Sequence, residues 1–158
     1  AGARPPRAEA PEKGHVDCRE PLCLVTDSTG WDAESTLLRF GPQWADSPGG
    51  TVRHQLCLRL SLEATSQEPA SHVSLEFQIL SAQRGWDWRI YPRAVCGREL
   101  LLAPGEPDWA EAAIGSERGH GRHFCVTEPR SSVVTICVDL VPDDGEQGRP
   151  FPRVWYER

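Results

Sequence analysis

The 158-residue sequence contains no asparagine, no methionine and a single lysine, Lys13. Without asparagine there is no acceptor for an N-linked glycan, so charge must keep the chain in solution. No apolar run approaches the roughly 20 residues that cross a bilayer as a helix, which excludes a membrane span of that kind. Basic charge is scarce: Lys and Arg number 17 against 23 Asp and Glu, a net charge of -6. Backbone phosphates are bound by concentrated Lys and Arg, so nucleic acid is excluded as a partner, while a basic protein is the ligand that such a field steers inward. Also missing are the GxSxG elbow of a serine hydrolase, a glycine-rich phosphate loop and the paired CxxC knuckles of structural zinc. No enzyme and no cofactor is therefore expected. The scarcity of Lys, Asn and Met beside plentiful Arg, Ala, Gly and Pro reads as strongly GC-biased coding.

What is present begins with six cysteines, Cys18, Cys23, Cys57, Cys96, Cys125 and Cys137. An even number in a chain of this size reads as a disulfide framework, which persists in oxidising compartments. No charged-then-apolar leader follows Ala1, so the chain reads as a mature secreted protein. Residues 1–14 carry Pro5, Pro6 and Pro11 among Ala, Arg and Glu, a composition expected to form a flexible arm. Residues 15–158 fit one domain.

Apolar residues alternate with polar ones over residues 52–62, 73–80 and 132–141, with the leucines at 56, 58, 60 and 62, then Val73, Leu75, Phe77 and Ile79, then Val134, Ile136, Val138 and Leu140 facing inward. Period two predicts three strands with one face in the core. The polar stretch around Pro69 reads as a connection between antiparallel neighbours. Shorter strands are expected over 22–26, 36–40, 88–91, 122–127 and 153–156. One helical turn is expected over 108–114, opened by Pro107 and closed by Gly115. Many short strands punctuated by Gly, Pro and Ser predict an all-β, disulfide-stapled sandwich.

Cys57, Cys125 and Cys137 fall in the phase opposite to the core residues of their strands. In immunoglobulin domains the paired cysteines lie between the sheets. The phase here predicts a sandwich that is not of immunoglobulin type, with disulfides tying loops over outer faces; the six cysteines admit 15 pairings.

His120, His123 and Cys125 in GHGRHFC are residue types that ligate zinc or copper. With glycines at 119 and 121 the stretch reads instead as a solvated basic loop with Cys125 oxidised, so no metal is expected. Trp86, Asp87 and Trp88 in GWDWRIYP, and Asp108, Trp109 and Glu111 in EPDWAE, combine indoles with carboxylates in the manner of interface anchors. Equally, one of Trp86 and Trp88 would be core and the other would merely shield it. Asp143, Asp144 and Glu146 complete the candidate acidic contact set, against the reading of a solvated turn.

The run VTDSTGW over residues 25–31, with HFC in a late strand, resembles the plant blue-copper phytocyanins. No His follows Cys125 and Met is absent, so the resemblance implies at most a cupredoxin-like domain without copper. The strands carrying Cys57-Leu-Arg-Leu and Cys137-Val-Asp-Leu, with the acidity, size and scattered cysteines, resemble the secreted immune-evasion domains of poxviruses. That resemblance implies a two-sheet sandwich that captures a basic chemokine or cytokine by a sheet face and acidic loops, blocking its receptor without chemistry. A carbohydrate-binding module, with Trp86, Trp88 or Trp109 stacking on sugar, is the alternative.

Overall fold

The computed structural model describes residues 18–27, 38–43, 50–60, 72–93, 98–106, 109–115, 121–142 and 150–158. The arm expected over residues 1–14, and with it Cys96, Asp108, His120, Asp143, Asp144 and Glu146, lies outside the described residues.

The described residues are all-β. Their strands are β1 (Leu22–Thr26), β2 (Gly41–Gln43), β3 (Val52–Arg59), β4 (His72–Ser81), β5 (Gly85–Pro92), β6 (Glu99–Leu101), β7 (Ala110–Gly115), β8 (His123–Pro129), β9 (Val133–Val141) and β10 (Phe151–Glu157). Backbone pairing runs in the order β2-β3-β9-β10-β7-β5-β4-β8-β6, with β1 added on the free side of β4. All pairs are antiparallel except β6 with β8.

β7 joins the two halves of this sheet. Its first residues, Ala110 and Glu111, pair with Val154 and Arg153 of β10. Its remaining residues, Ala112 to Gly115, pair with Pro92 back to Arg89 of β5. The helical turn expected over 108–114 is thus corrected to a strand. Ala110, Ala112 and Ile114 alternate onto the core while Glu111 is exposed. That period of two, together with backbone partners on both sides, outweighs the helix-start signal of a single proline.

The connection expected to join antiparallel neighbours is also corrected. The strands it links, β3 and β4, are not paired: β3 lies between β2 and β9, and β4 pairs β1, β5 and β8. Hydrophobic phase fixes which face a strand buries but carries no information about which strand lies beside it.

The main core collects the inward phase of nearly every strand: Leu22 and Leu24, Phe77 and Ile79, Trp88 and Ile90, Phe124 and Val126, Ile136 and Val138, Val154 and Tyr156. On the opposite face of β1 and β4 a smaller cluster gathers Cys23, Val25 and Leu80, with Trp86 and Ala82 packed on it. This explains why the four apolar residues of β1, Leu22 to Val25, are all buried. The turn from β4 to β5 is held by the Ser81 hydroxyl, which donates to Glu20 at 2.7 Å and accepts the amides of Gln83 and Arg84 at 3.1 and 3.0 Å. Gly85 closes it at φ +62°, in the left-handed region that glycine enters without strain.

Cys57, Cys125 and Cys137 do lie off the main core, yet no disulfide joins any two of Cys18, Cys23, Cys57, Cys125 and Cys137. The expected staple is corrected for these five, and strand register supplies the reason. Gln55 faces Cys137 and Cys57 faces Thr135, so Cys57 and Cys137 are diagonal partners. Diagonal Cα atoms lie about 7–8 Å apart, beyond the usual disulfide span. Cys23 faces Leu80 from one side of β4 and Cys125 faces Glu76 from the other, so an intervening strand separates them.

Cys125 and Cys137 are buried all the same, and burial pushes each thiol up to about 11. Burial, reinforced by Glu128, pushes the Tyr156 phenol up to about 12. Raised folded values mean that these groups stabilise the fold fully below their unfolded values of 9.0 and 10.0 and lose that contribution as pH climbs through the folded values. The urea midpoint is expected to hold to about pH 9 and then fall steeply toward about pH 12, with a shallower fall in Cys137→Ala. A flat midpoint to about pH 11 would contradict this.

Candidate functional site

β4 is long enough to take two neighbours on one side. Residues 72–77 pair with β8, whereas Ile79 to Ser81 pair with β5 after a register shift at Leu80/Ser81. β1 occupies the other side of β4 from Phe77 to Ser81. β5 and β8 therefore diverge from a common strand, and between them opens a cleft of about 640 Å³ lined by Glu76, Gln78, Trp86, Arg89, Arg98 and His123.

Its floor is the outward phase of β4. Leu75, Phe77 and Ile79 enter the core, leaving Glu76 and Gln78 to face the cleft. Gln78 is buried and fixes both walls. Its amide donates to the Arg122 carbonyl at the start of β8, and its carbonyl oxygen accepts from Arg89 Nη1 at 3.4 Å on β5.

The stretch GWDWRIYP places its residues in three environments. Trp88 is in the main core, 1% exposed. Trp86 is half-buried on the cleft side, packed on the Cys23, Val25 and Leu80 cluster, and Asp87 is exposed. Two indoles two residues apart would share a face in a regular strand; the irregular pairing between Gly85 and Arg89 turns them to opposite faces. The Arg89 guanidinium lies 4.8 Å from the Trp86 ring centroid, and its Nε is buried without a hydrogen-bond partner. Burial lowers the Arg89 pKa from its ordinary value, with Tyr91 and Asp87 opposing.

The far wall brings titratable groups together across three strands. Phe124 and Val126 of β8 point into the core, so His123 and Cys125 share the outer face. The parallel register sets Glu99 of β6 beside His123, and the antiparallel register sets Glu76 of β4 beside Cys125. One ligand atom from each of Glu76, Glu99 and His123 lies within 4.8 Å of the others, and His123 Nε2 is 3.0 Å from Glu76 Oε1. The expected solvated loop is thus corrected for its second half: His123 and Cys125 are strand residues, half-buried and buried, and Cys125 is a thiol.

Trp109 and Glu111 form a separate patch. Phe151 meets the Trp109 ring edge-on at 5.7 Å, and the Arg153 guanidinium lies 5.3 Å from its centroid. Trp109 precedes β7 at the Pro92 end of β5, and Trp86 sits at the other end, about 20 Å away at strand rise. The two expected aromatic anchors do not converge. The residues that do converge, Glu76, Arg89, Glu99 and His123, bear no motif; only the His123/Cys125 spacing on an alternating strand marked one wall of the cleft.

Comparison with protein-family models, with curated proteins and with solved structures finds no match to this chain.

Proposed function

We propose that this chain is a secreted binding protein that sequesters a basic chemokine or cytokine, with the cleft between β5 and β8 receiving a cationic side chain of the ligand and blocking receptor engagement. The observation that carries the reading is the preassembled wall of this cleft. Trp86 is held by packing beneath and by Arg89 over its ring, while Glu76 lines the same cleft and stands within 4.8 Å of the Glu99 carboxylate behind it. An ordered indole next to carboxylates is the anchor that cationic hot-spot residues use, because little conformational freedom is lost on contact. The surplus of acidic residues adds long-range attraction. Within the same reading the sheet halves joined along β7 form the two layers of a sandwich that is not of immunoglobulin type.

Binding to a panel of basic chemokines and cytokines tests this. A sub-micromolar ligand is expected, with Trp86→Ala weakening it by about 30-fold or more and added salt slowing association. No affinity better than micromolar across the panel, in low and physiological salt, would remove the reading.

A further inference from the structure

We propose that Glu76, Glu99 and His123 form a divalent-metal site of zinc type on the wall of the cleft, open on the side that faces it. One imidazole and two carboxylates are the ligand types that borderline divalent cations take, and three protein ligands with a vacant position make an accessible rather than a sealed site. The placement follows from sheet register. His123 stands on the middle strand of three, Glu99 lies directly across on β6, and Glu76 lies diagonally across on β4. Each side chain emerges from a strand whose other phase is locked into the core, so the three cannot drift apart independently.

The distances suit capture of an ion. Ligand atoms of a tetrahedral zinc stand about 3.4 Å apart, given bonds of about 2.0–2.2 Å. The three groups lie within 4.8 Å, so side-chain rotations of about an ångström close the shell without backbone movement. Two half-buried carboxylates beside one imidazole attract a dication electrostatically. The adjoining cleft leaves room for water or an external ligand on the fourth position. A bound ion would compete with a cationic side chain for Glu76 and Glu99, and would itself recruit an anionic or carbonyl donor, with Arg98 on the same rim.

The test uses the whole chain in metal-free buffer with Co2+ as the spectroscopic substitute for Zn2+ and no polypeptide ligand, so its outcome is independent of the chemokine reading. Titration is expected to saturate at one equivalent, with the visible bands of an oxygen- and nitrogen-ligated ion and without thiolate-to-cobalt charge transfer. Zn2+ should displace the Co2+. Glu99→Gln and His123→Gln should each weaken binding by about 10-fold or more, whereas Glu111→Gln, on the distant face of β7, should leave it unchanged. Near-ultraviolet circular dichroism establishes that each variant is folded; if one is not, Glu76→Gln takes its place. Absence of saturable binding, a thiolate band showing that cysteines hold the metal, or unaltered binding by folded Glu99→Gln and His123→Gln would each overturn the proposal.

Discussion

Replacing Trp88 with alanine is expected to cost about 3–5 kcal/mol of folding stability, a large share of the roughly 5–15 kcal/mol that a domain typically has. Trp88 is 1% exposed and packs in the main core with Ile90 beside it on β5 and the inward residues of β4 and β8. Alanine would leave a void that strands tied on both sides cannot collapse into. The indole has a second property: its Nε1 is buried and has no hydrogen-bond partner. Phenylalanine removes that stranded donor along with part of the ring, so the lost packing is partly offset, and Trp88→Phe is expected to cost about 1 kcal/mol. Urea unfolding followed by circular dichroism distinguishes the two. Similar losses for both variants would mean that the indole nitrogen is solvated in a way its burial does not suggest.

A second large effect is expected at the contact between β8 and β10, strands that are four apart in the sheet order. The buried Tyr156 hydroxyl donates to Glu128 Oε2, and Arg158 Nε donates to the same oxygen at 2.9 Å. Glu128→Ala strands the phenol without its acceptor and is expected to cost about 2–3 kcal/mol. Tyr156→Phe removes the donor but leaves Glu128 with Arg158, so a smaller loss of about 1 kcal/mol is expected. The Tyr156 hydrogen bond, aided by Arg158 against the cost of burial, holds the Glu128 carboxyl below its ordinary value. A lowered folded pKa stabilises the fold above the unfolded value of 4.5, and this contribution is lost as pH falls through the folded one. Tyr156→Phe should therefore show a shallower acid loss than the native chain below about pH 4.5, and an unchanged slope would refute the coupling.

Legibility in the sequence followed the range of the interaction. Val73 to Leu80 and the β9 segment could be read because side-chain alternation is a local property of a half-buried strand. The off-core phase of Cys57, Cys125 and Cys137 was legible for the same reason. Pairing was not: nothing local tells β4 to accept β5 and β8 on one side, and that fork creates the cleft. Glu76 and Glu99 each look like ordinary solvated carboxylates until register places them around His123. Trp86 and Trp88 could not be assigned to faces because a pairing irregularity, invisible in GWDWRIYP, reverses the phase between them. The disulfide reading failed among the described cysteines because counting thiols ignores the strand spacing that keeps them apart.

The pairing of β3 with β9 bears on how the chain is made. Arg53 Nε meets Asp139 Oδ1 at 2.8 Å across 86 residues of sequence, and the backbone ladder from Val52 to Arg59 joins the same distant segments. At a ribosomal pace of about 5–20 residues per second, β3 emerges several seconds before its partner exists. Through that interval the edge of β3 that β9 will pair stays open, and β2 covers only three residues of the other edge. Assembly is consequently slow and closes late, and a nascent chain in this condition is a substrate for holdase chaperones until β9 arrives.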